Sequence, residues 1–154
     1  MRYNEKDLRQ KATLYLEVET EEAFRTEVEN ELENGRWAEL YERFYTTLSF
    51  GTAGIRGLLG GGTNRMNTFM VRKVTQGLAD YLKTQSDHPS VVIGYDSRHY
   101  SDVFAKEAAL VLAANGVSVY LFPELRPVPM ISYAVRNLKT TAGIAITARH
   151  NPSA

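Results

Sequence analysis

Apolar residues recur at helical spacing through the first third of the chain. Leu8, Ala12, Tyr15 and Leu16 make one stripe and Phe24, Val28 and Leu32 another, so residues 4–44 read as helices that pack by one face. Thr20, with acids after it, is the expected N-cap of the second helix, Asn34-Gly35 its stop, and residues 37–45 a third, shorter helix. From Leu48 onward, short apolar runs alternate with helical stretches. Residues 48–52 and 55–59 read as short strands about a glycine turn, and a helix from about Asn67 carries Val71, Val74, Leu78 and Leu82. Residues 91–95 form the next strand. Ser101 is expected to cap a helix bearing Phe104, Ala108, Val111 and Leu112, ended by Asn115-Gly116. A strand at 117–122, a proline-led helix at 129–138 and a buried run at 143–147 complete a βαβαβ order. That order predicts an α/β fold with parallel strands and right-handed crossovers. Ligands gather beyond the carboxyl ends of such strands, which here means residues 51–56, 96–99 and 148–151.

Composition narrows the picture. The chain of 154 residues is long enough for one domain with a real core. It has no apolar run near the roughly 18 residues that span a bilayer, and its polar start is unlike a secretory signal, so a cytoplasmic protein without membrane contact is expected. Cysteine is absent and there are three histidines, which excludes disulfides and thiolate chemistry and leaves oxygen to hold any metal. The formal net charge is zero, yet residues 1–42 hold twelve acids against six bases and residues 43–154 six against twelve. The halves therefore carry −6 and +6, an asymmetry that favours a small anionic ligand on the basic body. A solvated acidic helix pair accounts equally for the arm. No Lys/Arg run with interleaved aromatics points to nucleic acid.

Six of the eleven glycines fall between positions 51 and 62. Such a run lets backbone N–H groups approach an anion, and Arg56 and Arg65 add fixed charge. The spacing is neither a Walker A loop nor a dinucleotide fingerprint, and a glycine-rich hairpin without a ligand stands as the alternative. After the last strand, Arg149 and His150 precede the turn-forming pair Asn151-Pro152. Asp96, Ser97 and Arg98 follow the strand at 91–95, where the carboxylate is expected to cap the next helix or pair with an arginine.

Together the segments FGTAGIRG, GTNRMN, GYDSRHYS, LRPVPMISYAVR and GIAITARHNP resemble, in order and spacing, domain 1 of the α-D-phosphohexomutases of the phosphoglucomutase/phosphopentomutase type. The resemblance implies an α/β domain with a mixed sheet layered between helices. Residues 1–46 would be a helical amino-terminal extension and residues 47–154 a truncated domain 1. It further implies a reversible phosphoryl shuttle between glucose 1-phosphate and glucose 6-phosphate through a phosphoserine, a 1,6-bisphosphate and Mg2+, with pentose or mannose phosphates as alternative substrates. The family's serine lies in a Thr-Ala-Ser-His-Asn-Pro motif, and here Arg149 takes its place. Arginine offers only donors and a fixed positive charge, so loss of the covalent step and of one metal ligand is expected. The resemblance makes His150 a candidate for proton transfer or substrate orientation and Arg56 a phosphate contact. Thr52, Gly54 and Asn151 would shape the pocket. No Asp-Gly-Asp-x-Asp-Arg metal loop is present, so no metal is expected to bind and no turnover is expected from this chain alone. A phosphate or sugar-phosphate binding module is the competing reading. Self-association through a face that a further domain would cover is a third.

Overall fold

The computed structural model describes residues 3–52 and 54–147. The chain divides into two compact units, residues 1–71 and 72–154.

The first unit begins with three helices, α1 (Glu5–Val18), α2 (Glu22–Glu33) and α3 (Trp37–Phe44). Their apolar stripes meet as expected: Leu8, Ala12, Tyr15, Val28, Leu40 and Phe44 are buried together. Asn4 caps α1, its side-chain oxygen accepting the Asp7 N–H at 3.1 Å. Asn34 closes α2, with Gly35 in the left-handed region at φ 62°. Thr20 is not the cap of α2. The N-cap is Glu21, without a side-chain cap bond, while Glu19, only 1% exposed, accepts the N–H groups of Thr20 and Glu21 just ahead of the helix at 2.9 and 3.0 Å. The same carboxylate accepts the Tyr15 hydroxyl at 2.9 Å and the Phe69 N–H at 3.1 Å. A buried carboxylate is tolerated because donors surround it.

The strands expected at 48–52 and 55–59 do not form. Among the described residues the segment shows isolated bridges, Gly51 with Gly54 and Leu59 with Met66. Glycine density explains the difference, since a strand gains little from residues without side chains to pack. Helix α4 (Thr68–Gln85) follows this irregular segment.

The second unit holds a three-stranded sheet, β1 (Ser90–Tyr95), β2 (Ser118–Leu121) and β3 (Ala142–Ile146), in the order β2-β1-β3. Both pairings are parallel, with Val91 opposite Val119 and Ala142. Helices α5 (Ser101–Ala114) and α6 (Val128–Leu138) make the crossovers. Val91, Val92 and Ile93 of the central strand are at most 1% exposed, the uninterrupted apolar run of a strand covered on both faces. Helix α6 lies close on the sheet because Gly94 and Gly143 are bare. A Cβ on Gly94 would collide with the Ile131 side chain, and one on Gly143 would come within 2.6 Å of Val135. Asn115 and Gly116 end α5 as expected, Gly116 at φ 77°. Ser101 opens α5 but is not its N-cap. That position falls to Tyr100, left-handed at φ 67°, while the Ser101 hydroxyl donates to Asp96.

Candidate phosphate site

The glycine segment splits into two halves with different jobs. Gly60, Gly61 and Gly62 are buried, and each lacks room for a side chain. A Cβ on Gly61 would strike the Phe24 carbonyl, and one on Gly62 would lie 2.7 Å from Arg43. These three glycines are packing residues. Asn67, 0% exposed, ties them down: its Nδ2 donates to the carbonyls of Gly60 at 2.9 Å, Gly62 at 2.7 Å and Arg65 at 3.3 Å. Its Oδ1 accepts the Met70 N–H at 2.9 Å, capping α4. Arg65, expected to supply free charge, spends its guanidinium on the carbonyls of Asn64 and Glu42 at 3.2 and 3.5 Å.

The other half, around residues 51–57, is the open one. Gly51 and Gly54 close a tight turn by exchanging hydrogen bonds, N–H to O at 2.9 and 3.3 Å, so those two amides are satisfied internally. Gly54 sits at φ 117°, a conformation that L side chains rarely adopt. Thr52 and Arg56 are exposed. Among the described residues, Arg56 makes no hydrogen bond or ion pair, which leaves its five N–H donors to solvent or a ligand.

In the second unit the carboxyl ends of β1 and β3 lie side by side, because the Asp96 N–H donates to the Ile146 carbonyl at 3.1 Å. This is where the strand order reverses about β1, the usual place for a ligand in such a sheet. Asp96 accepts the Ser101 hydroxyl at 2.7 Å and the Arg98 backbone N–H at 3.0 Å, while the N-cap of α5 is Tyr100. An open cleft of about 560 Å³ lies on the other side of β1, between the segments that follow β1 and β2, walled by Tyr95, Asp96, Arg98, Asp102, Glu124 and Arg126 among others. The Arg98 guanidinium is exposed and forms no ion pair among the described residues, whereas Arg126 is held by Glu124 at 3.2 Å and by the Leu125 carbonyl at 2.9 Å. Arg126 and Glu124 escaped the sequence reading although they follow β2 directly, the same position after a strand that singled out the other candidates. Arg149, His150 and Asn151 lie outside the described residues. The strand that leads to them, β3, ends at Ile146 beside Asp96.

With this geometry in place, comparison with known proteins is decisive for kinship. Residues 47–154 match the family model described as phosphoglucomutase/phosphomannomutase, alpha/beta/alpha domain I. The chain belongs to the phosphoglucomutase/phosphomannomutase family. It is similar to a phosphoglucomutase of Staphylococcus aureus strain USA300, with 47% identity over 141 residues covering 92% of this chain and 26% of that protein. A phosphoglucomutase of strain MRSA252 is 52% identical over 111 residues, covering 72% of this chain and 20% of its own length. The chain thus spans about a quarter of the length of the curated relatives it matches. No solved structure matches it.

Magnesium is the metal that kinship with phosphoglucomutases implies. Among the described residues no three His, Asp or Glu side chains converge to hold an ion. Position 149 is an arginine, whose guanidinium has no lone pair to give a metal. No helix among the described residues is long and apolar enough to cross a membrane.

Proposed function

We propose that residues 47–154 are the phosphate-handling domain 1 of a phosphoglucomutase-type phosphotransferase acting on hexose phosphates, that residues 1–46 are its helical extension, and that these 154 residues bind phosphate groups without turning them over. The observation that carries this reading is Arg149 within Thr-Ala-Arg-His-Asn-Pro after β3. A hydroxyl at that place could take and return a phosphoryl group. A guanidinium has no nucleophilic lone pair at neutral pH, but it offers paired donors in the geometry of a phosphate edge. Arg56 and Arg98, exposed and without ion pairs among the described residues, support the same ligand class. In this reading Thr52, Gly54 and Asn151 shape the pocket and His150 orients a sugar hydroxyl by hydrogen bonding.

The test is in two arms. A coupled assay of the 154 residues for conversion of glucose 1-phosphate to glucose 6-phosphate, with magnesium present, should give the blank rate; turnover above it would refute the loss of the covalent step. Calorimetry with inorganic phosphate and glucose 1,6-bisphosphate should give saturable heat that weakens in Arg149→Ala. Absence of saturable heat in the parent chain would refute phosphate binding.

A further inference from the structure

Glu27 and Glu31 stand four residues apart on α2, a spacing that sets like charges on one helical face and repels unless a cation lies between them. Arg43 of α3 is that cation. Its Nε donates to Glu31 Oε2 at 2.8 Å, and its Nη1 donates to Glu27 Oε2 at 2.9 Å and to the Gly61 carbonyl at 3.0 Å. Gly61 answers with its own N–H, donated to the same Glu27 oxygen at 2.8 Å. Arg43 also binds through its backbone, its carbonyl accepting the Asn64 N–H at 2.9 Å. The ring is largely withdrawn from water on two of its members, with Arg43 and Glu31 side chains 17% and 10% exposed. Burial works against the charge on Arg43, but the hydrogen bonds and charges of Glu31 and Glu27 more than offset it and raise its pKa. The acidic arm is therefore bound to the glycine segment and is more than a solvated surface.

Among the described residues of 48–66 there is no regular strand, so side-chain tethers and close packing hold the segment. We propose that Glu27, Glu31 and Arg43 are positioning residues: a charge-paired clamp that fixes residues 60–62 and so sets the direction in which Thr52, Gly54 and Arg56 meet a phosphate group. The proposal rests on the reading that the open half of the segment contacts phosphate. The clamp itself can be tested without that reading.

The experiment compares Arg43→Lys, Glu27→Gln and, as a control, Asp7→Asn, which breaks only an exposed ion pair with Lys11 on the same arm. A lysine ammonium keeps the charge of Arg43 but cannot span three acceptors in one plane. In the isotope-labelled 154-residue chain, both clamp variants should speed amide exchange of Gly60–Gly62 by about tenfold or more, the effect of losing a charge-assisted bond. They should weaken binding of inorganic phosphate by roughly three- to tenfold, as misplaced contacts do, with helical circular dichroism unchanged. Asp7→Asn should do neither. Glu27→Gln is the discriminating variant, because removing a negative charge alone would strengthen phosphate binding. Unchanged exchange in both clamp variants overturns the clamp. Faster exchange with undiminished phosphate affinity overturns its positioning role. If the parent chain binds no phosphate, the phosphate reading of the segment fails, while the exchange rates still decide whether the clamp exists.

Discussion

Replacing Asn67 tests the structural logic of the glycine segment most severely, because one amide there does two separable things. Its oxygen caps α4 and its nitrogen serves the carbonyls of Gly60, Gly62 and Arg65. Asn67→Ala removes both functions. Losing an N-cap costs about 1 kcal/mol, and each of the two buried carbonyls left bare costs about 1–3 kcal/mol, so a loss of about 3–7 kcal/mol is expected, a large share of a domain's 5–15 kcal/mol. Asn67→Asp keeps an equally good cap but aims a carboxylate at buried carbonyls. To survive at pH 7 it must bind a proton, which costs about 1.4 kcal/mol for each unit between the ordinary aspartate pKa near 4 and the ambient pH, or about 4 kcal/mol. The protonated acid then offers one donor where the amide offered two, leaving a carbonyl bare. The Asp variant should therefore be the least stable of the three proteins at pH 7. The sign of its pH dependence follows: a carboxyl with a raised folded pKa contributes most below its unfolded pKa and loses stability as pH rises. Near pH 4 the order of the two variants should reverse, with Asp above Ala. Urea unfolding followed by circular dichroism from pH 4 to 7 measures this. An Asp variant that tracks the parent across that range would show that the amide hydrogens do not hold the segment.

Two further outcomes follow from packing and titration. Gly77→Ala, at an exposed mid-helix position of α4 with open space around it, should raise stability by about 0.5–1 kcal/mol. Gly61→Ala, whose methyl would strike the Phe24 backbone, should lower it by about 1–3 kcal/mol or more; equal melting temperatures for the two would refute the packing assignment. Tyr15 is 3% exposed, and burial first, then the charge and hydrogen bond of Glu19, raise its pKa well above the ordinary tyrosine value near 10, although a backbone hydrogen bond from Gly62 pulls the other way. Its contribution is complete below pH 10 and should be lost as pH climbs past that value, since the unfolded chain then releases a proton that the folded one retains. Denaturation at pH 9 and pH 11 should show a steeper alkaline loss in the parent than in Tyr15→Phe, and parallel slopes would contradict it.

Much of the architecture was legible because it rests on local pattern. The stripe of Leu8, Ala12 and Tyr15, the Asn-Gly stops at 34–35 and 115–116, and the apolar run of β1 each state their conformation within a few residues. What escaped depends on residues far apart in sequence. Glycine density at 51–62 suggested one phosphate loop, but only the folded chain shows that Gly60–Gly62 are bare so that α2 and α3 can approach, and that Asn67 satisfies their carbonyls. The helix α2 starts one residue later than Thr20 suggested, at the N-cap Glu21, and the buried Glu19 beside it gathers donors from Tyr15 and the distant Phe69. One signal was available and unread. The like-charged pair Glu27 and Glu31, one helical turn apart, asks for a cation from elsewhere, and Arg43 is its answer.

The clamp also bears on the order in which the molecule can be assembled. The bonds described above for the glycine segment join residues no later than Met70, whereas the central strand β1 finds its second neighbour only when Ile146 is available. At a synthesis rate of about 5–20 residues per second, a growing chain holds all the parts of the clamp for several seconds before the sheet can be completed. The glycine segment's bonds involve no parallel strand, so its shape can be set before the slow pairing of distant strands is complete.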